Sequence, residues 1–487
     1  MKVLAFDFGA SSGRAIMGTY ENNKITLEEV HRFDNDPVIV NNTFYWDVFR
    51  LYFEIKQGMN KAKNVADFES IGIDTWGVDN GFITKDGDLL GNLYHYRDQR
   101  TQGVPEEMEP IISKDELYKL TGIQHAEYNT IFQVYAFKKQ KPELFKLVDK
   151  VLLLPDLFNY FLTGKKAAEC SIASTSQLLN PETKDWHYEI MDRLGIDRSL
   201  FPEIVPSGTI IGPIKAEICE ELDMTTKNVV AVCEHDTASA VVAVPTTEKD
   251  FVFISCGTWS LFGTELDAPV ITEDSKAFNI TNEVGYNNTT RFLKNIIGLW
   301  LIQETRRQFK REGKNYSYAE MEELARKEKP FACFIDPDHN DFMLPGNMPQ
   351  RIKDFCKRTG QFVPETDGQV IRCIYESLAM KYKYTFLQLK HCCARDFKVI
   401  HMVGGGTKDT FLCQMTADAA NVPVVAGPIE ATAVGNIAVQ LMANGQINDV
   451  WEARKIIADS FNVVHYQVKD NKAWEDAYPS FLKIVQK

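Results

Sequence analysis

Several things are missing from this 487-residue chain, and each absence narrows what it can be. It contains no Cys-x-x-Cys. Its ten cysteines are scattered, which reads as reduced, cytosolic thiols rather than a disulfide framework. Cys356 and Cys373 flank a loop with Gly360 and Pro364 and could pair under oxidation; two unrelated thiols is the other reading. Basic charge is also short. With 54 Lys and Arg against 67 Asp and Glu, the net charge of -13 is opposite in sign to a nucleic-acid footprint and unsuited to an acidic membrane surface. No apolar run reaches the roughly 18 residues of a membrane span. Met1-Lys2 leads into a strand carrying Asp7, not into the apolar stretch of a signal peptide, so a cytoplasmic protein is expected. Gly-x-x-x-x-Gly-Lys-Ser/Thr is absent, as is a Gly-x-Gly-x-x-Gly opening a helix; a P-loop enzyme and a dinucleotide fold both lack support. The acidic stretch from Asp336 to Asp341 lacks the sixth-position glycine and twelfth-position glutamate of a calcium loop.

What is present is one device used twice. Asp7-Phe-Gly-Ala-Ser-Ser-Gly-Arg14 and Ser255-Cys-Gly-Thr-Trp-Ser-Leu261 each join two apolar strands through a turn rich in Gly and Ser or Thr. Successive N–H groups in such a turn form a concave anion site, and two of them could grip a polyphosphate from both sides. The chain is long enough for two or three domains. The polar stretch Pro245–Asp250 reads as a seam, giving an N-terminal lobe over residues 1–244 and a C-terminal lobe over 245–487. Each half opens on a hairpin and continues as mixed α/β, which marks an internal duplication rather than a short repeat. Strands are expected at Lys2–Phe8, Arg14–Tyr20, Ile25–Phe33, Ser70–Asp74, Val229–Cys233 and Lys398–Val403. Helices are expected at Asp47–Asn64, Lys114–Thr121, Ala238–Val244, Gly298–Phe309, Gly368–Lys390, Asp409–Ala420 and Ala431–Ala443.

Candidate chemistry gathers at the ends of these strands. Asp7 faces the first glycine turn and can hold hydrated Mg²⁺ beside phosphates, or simply cap the turn. Asp236 lies where a buried strand meets a helix start, the position where α/β sheets place ligands. It reads as a catalytic base or as an N-cap, and a helix N-terminus should lower its pKa. His235 beside it reads as a substrate ligand or a satisfied buried histidine. Gly404-Gly405-Gly406 lets a flat adenine or ribose approach the backbone, or makes a tight strand–helix turn. Trp76 beside Asp74 and Asp79 suits a sugar face, or the core.

These strings together resemble the FGGY family of carbohydrate kinases. The resemblance runs nearly end to end and rests on the two hairpin strings, Gly72-Ile-Asp-Thr-Trp-Gly-Val-Asp79, Tyr96-Arg-Asp98, His235-Asp-Thr-Ala-Ser-Ala240, Leu293-Lys-Asn-Ile-Ile-Gly-Leu-Trp300 and Gly404-Gly-Gly406. The Phe-Gly-Gly-Tyr string that names the family is absent. The resemblance implies a two-lobed actin/hexokinase-like (ribonuclease H-like) α/β ATPase fold with a cleft between the lobes. It implies ATP phosphates on Ala10, Ser11, Ser12, Gly13, Arg14 and Thr258, with Gln303 and Gly405 near the nucleotide. It places the sugar on Gly77, His235, Asp236, Thr237 and Asn295, with Asp236 as the base and Asp7 supporting Mg²⁺. The Gly72–Asp79 string and Gly257-Thr-Trp-Ser-Leu261 narrow the implied sugar to the ketose L-rhamnulose, phosphorylated at O1. The rival reading is an actin- or chaperone-like ATPase lobe, which shares the hairpins but needs no small-substrate base.

Overall fold

Alternation of apolar runs with Gly- and Asn-rich turns dictates hairpins, and that is what the chain forms. In the structure, a computed structural model that describes residues 1–485, the first sheet is built from β1 (Lys2–Phe8), β2 (Ser12–Glu21), β3 (Lys24–Asp34), β4 (Ser70–Thr75), β5 (Thr209–Pro213) and β6 (Asn228–Ala231). Their order is β5-β6-β4-β1-β2-β3. β1 runs antiparallel to β2 and parallel to β4, and β6 is parallel to β4. The second sheet contains β7 (Val252–Cys256), β8 (Trp259–Leu266), β9 (Ile400–Val403), β10 (Val424–Ala426) and β11 (Val464–Tyr466), side by side as β8-β7-β9-β10-β11. Here too a hairpin is followed by two parallel neighbours and an antiparallel edge. The series β2-β1-β4-β6-β5 is therefore repeated strand for strand, which is the duplication read from the two hairpins.

The chain forms two compact units. One comprises Met1–Thr247, Glu265–Phe292 and Ala431–Phe461; the other comprises Glu248–Thr264, Leu293–Glu430 and Asn462–Lys487. The longest segment of the first unit ends at Thr247. The second half of the chain is not one unit, however, because two of its segments return to the first.

Packing explains the return of Ala431–Phe461. The helix Ala431–Ala443 crosses the helix Asp236–Val242 at Gly435, where a Cβ would lie only 1.7 Å from the Ser239 carbonyl oxygen. Its polar side chains then reach into the sheet: Gln440 donates to the Leu4 carbonyl at 3.1 Å and accepts from the Ser70 hydroxyl at 2.8 Å. On the opposite face, the helix Val48–Val65, capped by Asp47, lies flush on β1. A Cβ at Gly58 would meet the Phe6 ring at 2.5 Å. Ten cysteines are free, and the sulfurs of the buried Cys333, Cys356 and Cys373 lie within 4.8 Å of one another. Among the described residues no helix is long and apolar enough to cross a membrane.

Gly435→Ala should force the two helices apart and cost about 1–3 kcal/mol, read as a lower urea midpoint. An unchanged midpoint would contradict this packing.

Candidate active site

Parallel pairing brings the acids of the first unit together. β1 and β4 run in a register that makes Asp7 and Asp74 direct cross-strand partners. Beyond β4, Thr75 bridges to His235, and the Thr75 amide donates to the Glu234 carbonyl at 2.9 Å. Three parallel segments thus end side by side at Asp7, Asp74 and Asp236, the carboxyl edge where α/β sheets hold ligands.

Each acid is treated differently. Asp7 Oδ2 accepts from Arg14 Nε at 3.1 Å and Nη2 at 2.7 Å across the hairpin. Asp74 is fully buried. Its Oδ2 accepts from Asn436 at 2.6 Å, while its Oδ1 has no partner. Burial and the neighbouring Asp7 push the Asp74 carboxyl well above the usual range. Asp236 opens the helix Asp236–Val242, with its side chain 32% exposed and the Thr237 hydroxyl donating to Oδ1 at 3.0 Å. Its pKa is raised, first by burial and then by Asp7, with His235 opposing. The expectation of a lowered pKa is therefore corrected: in this site loss of hydration outweighs the N-terminus of a seven-residue helix.

Behind Asp236 stands a buried triad that the sequence did not reveal. Arg291, fully buried, approaches His235 Nδ1 with Nη2 at 3.1 Å. Glu283 Oε2 lies 3.2 Å from the same nitrogen and 3.1 Å from Arg291 Nη1. Burial works to raise the Glu283 carboxyl, but Arg291 and His235 hold it low. Nδ1 thus faces a guanidinium donor and a carboxylate at once, while Nε2 lies 3.5 Å from Asp236 Oδ1.

The other predicted residues sort by unit. In the first, Ala10 and Ser11 are exposed at the hairpin tip, Ser12 and Arg14 are half-buried, and Gly9 N donates to the Ser12 carbonyl at 2.9 Å. Gly13 is buried under the Phe33 ring, where a Cβ would lie 2.2 Å from it; the glycine is required by packing. Gly77 precedes Val78, which holds φ +70, a strained conformation for a β-branched residue. Thr175 receives the Val78 amide at 3.0 Å. Trp76 belongs to the core. Its indole donates to Asp79 at 2.8 Å, as does Trp46 at 2.6 Å, and burial raises Asp79 to about 6.

In the second unit, Gly257 N donates to the Trp259 carbonyl, closing a tighter copy of the first turn. Thr258 Oγ1 donates to Gln303 Oε1 at 3.3 Å, which joins two predicted residues. Asn295 is half-buried on the strand Thr290–Ile297, beside Lys294, whose ammonium burial lowers to about 8. In the glycine run, Gly404 has φ +90, and Gly406 packs on Cys256, where a Cβ would lie 2.2 Å from the sulfur. Gly405 is exposed, and a Cβ there would meet nothing within 4 Å. Two glycines serve the turn and one faces open space.

The duplicated sheet and the acid-lined strand ends define a member of a sugar-phosphorylating class, and the sequence comparison agrees. Models of the FGGY family of carbohydrate kinases match residues 2–243 with the N-terminal domain and 252–444 with the C-terminal domain. The chain belongs to this family. Within it, the chain is similar to the rhamnulokinase of Bacteroides thetaiotaomicron, 41% identical over 483 residues and covering 99% of each chain. It is also similar to that of Oceanobacillus iheyensis, 43% identical over 464 residues, 95% of this chain and 97% of the relative. The fold matches a gluconate kinase from Lactobacillus acidophilus (TM-score 0.83, 16% identity, 100% of this chain and 97% of the other). It also matches Plasmodium falciparum glycerol kinase with ADP (TM-score 0.81, 15% identity, 100% and 97%). The fold is thus the two-domain actin/hexokinase-like fold.

The glycine run makes a contrast that stability can read. Gly405→Ala should leave the urea midpoint within about 0.5 kcal/mol of wild type, whereas Gly406→Ala should cost about 1–3 kcal/mol by crowding Cys256.

Proposed function

We propose that this chain transfers the γ-phosphoryl group of ATP to the C1 hydroxyl of L-rhamnulose, giving L-rhamnulose 1-phosphate and ADP in L-rhamnose catabolism. The observation that carries the reading is Asp236: a partly open carboxylate at the edge of three parallel strands, with a raised pKa and a buried histidine beside it. Near-full-length similarity to rhamnulokinases supports the choice of sugar.

Asp236 takes the hydroxyl proton as the phosphoryl group arrives. A raised pKa makes it a better base than an ordinary aspartate, and phosphoryl transfer asks mainly for positioning and charge stabilisation. His235, with Nε2 3.5 Å from the Asp236 carboxylate, contacts the sugar together with Gly77, Thr237 and Asn295. Ala10–Arg14 and Thr258 hold ATP phosphates through their turn amides and side chains; Gln303 and Gly405 lie near the nucleoside. The donor set fits Mg²⁺. The partnerless Asp74 Oδ1 and the adjacent Asp7 offer the hard oxygens a hydrated divalent cation prefers, and the mutual repulsion of these acids is what such a cation relieves. When bound, Mg²⁺ would neutralise phosphate charge. The enzyme acts in the cytoplasm.

Asp236→Asn should keep sugar and ATP binding while kcat falls by about 10²–10⁴-fold, the usual worth of a general base; near-normal turnover would remove Asp236 from this role. In the wild type the base works ionised, so kcat should fall on acidification. Because the pKa is raised, that limb should lie above the roughly 3.9 of a free aspartate. Thr258→Val should raise KM for ATP more than KM for the sugar, and the reverse pattern would reassign the second hairpin.

A further inference from the structure

Directly before His235 and Asp236 stands a residue that the proposed chemistry does not use. Glu234 is fully buried, and so are Glu169 and Asp156 next to it. Three carboxyl groups share this pocket, and among the described residues no ion pair joins any of them to a lysine, arginine or histidine. The thiols of Cys170 and Cys233 also face them, with Lys184 near the first and Arg291 and Glu265 near the second. Three bare anions in such a place would cost far more than the fold could bear. Hydrogen bonds show which one is fully supplied with donors.

Glu169 collects five donors. Oε2 accepts from the Ser171 hydroxyl at 2.6 Å, the Ile172 amide at 3.0 Å and the Glu234 amide at 3.2 Å. Oε1 accepts from the Ser207 hydroxyl and the Cys170 thiol. An oxygen pair so supplied has its acceptor needs met without a proton. The other two acids are supplied on one side only. Asp156 Oδ1 accepts from the Glu169 amide at 2.9 Å, and Glu234 Oε1 accepts from Asn159 at 2.6 Å. The remaining oxygens, Asp156 Oδ2 and Glu234 Oε2, are buried with no donor. Asn159, which donates to Glu234, stands one turn along the same helix from Asp156. One proton between the two acids satisfies both orphans.

We propose that Glu234 and Asp156 share one proton, and that this acid pair is the positioning device that fixes the turn presenting Asp236 to the sugar. The connections run in three directions. The Glu234 carbonyl is held by β4 through Thr75 N, its amide by Glu169, and its side chain by Asp156 and Asn159 of the helix Leu154–Thr163. The next residue is held as well, since His235 N donates to the Ser171 hydroxyl at 3.2 Å. Burial raises both carboxyls well above their usual range, as a shared proton requires. Neither residue touches the reacting atoms; both act through Asp236.

The inference rests on Asp236 being the base, and the test separates the two claims. Infrared spectra of the intact enzyme should show a neutral carboxylic-acid band that is lost in Glu234→Gln and in Asp156→Asn, whichever residue is the base. Glu234→Gln, a neutral isostere, should keep kcat within about threefold of wild type. Glu234→Ala should lower kcat about 100-fold with KM for ATP unchanged, the scale expected of a misplaced catalytic group. An infrared band unmoved by either substitution would overturn the shared proton. Glu234→Gln as damaged as Glu234→Ala would show that a carboxylate, not a neutral pair, is needed. If Glu234→Ala does not fold, Asp156→Asn decides: near-wild-type kcat supports the proposal, and a collapse of kcat overturns it.

Discussion

Carboxylates crowded at the carboxyl edge of one sheet are the constraint on which the first unit is built. The register of β1 on β4 makes Asp7 and Asp74 neighbours, and the bridge from Thr75 to His235 adds Asp236. Like charges this close and this dry repel strongly, so each needs an answer. Arg14 answers Asp7 across the hairpin, and Asn436 answers one oxygen of Asp74. Glu234, two residues before Asp236, is answered by Asn159. What is left unanswered is Asp74 Oδ1, while Asp236 stays partly open.

The same constraint ties the fold to the function. Asn436 sits on a helix that belongs by sequence to the second half of the chain, yet it packs in the first unit because Gly435 allows the helices to touch. Removing that contact would loosen the donor that steadies Asp74. Similarly, the Glu283 and Arg291 that hold His235 Nδ1 lie on another returning segment, Glu265–Phe292. Both intrusions into the first unit carry a residue that acts on the acid edge.

Much of this was legible in the sequence, and the reasons are local. The two glycine turns, the helix Lys114–Thr121 and the helix Ala431–Ala443 follow from turn chemistry and periodicity, which act over a few residues. Asp236 stood out because a buried strand ends there. What stayed hidden is long-range. Nothing near Asp74 in the sequence announces Asn436, and nothing near His235 announces Arg291. The lowered pKa expected for Asp236 failed because a local effect, the helix N-terminus, was weighed without the burial that only the fold supplies. Trp76 read as a sugar platform because its neighbours are acidic; one of those acids, Asp79, in fact receives its indole N–H and that of Trp46. At Gly13 and Gly406 a ring and a sulfur fill the space a side chain would need, a packing demand that appears only in the fold.

The central claim is that this acid edge serves a sugar kinase specific for one ketose. It is tested most directly by following ADP release with MgATP against L-rhamnulose, L-fuculose, L-xylulose, L-ribulose, glycerol and no sugar. The account predicts a clear kcat/KM preference for L-rhamnulose and little turnover without sugar. Equal ADP release with and without sugar would contradict it.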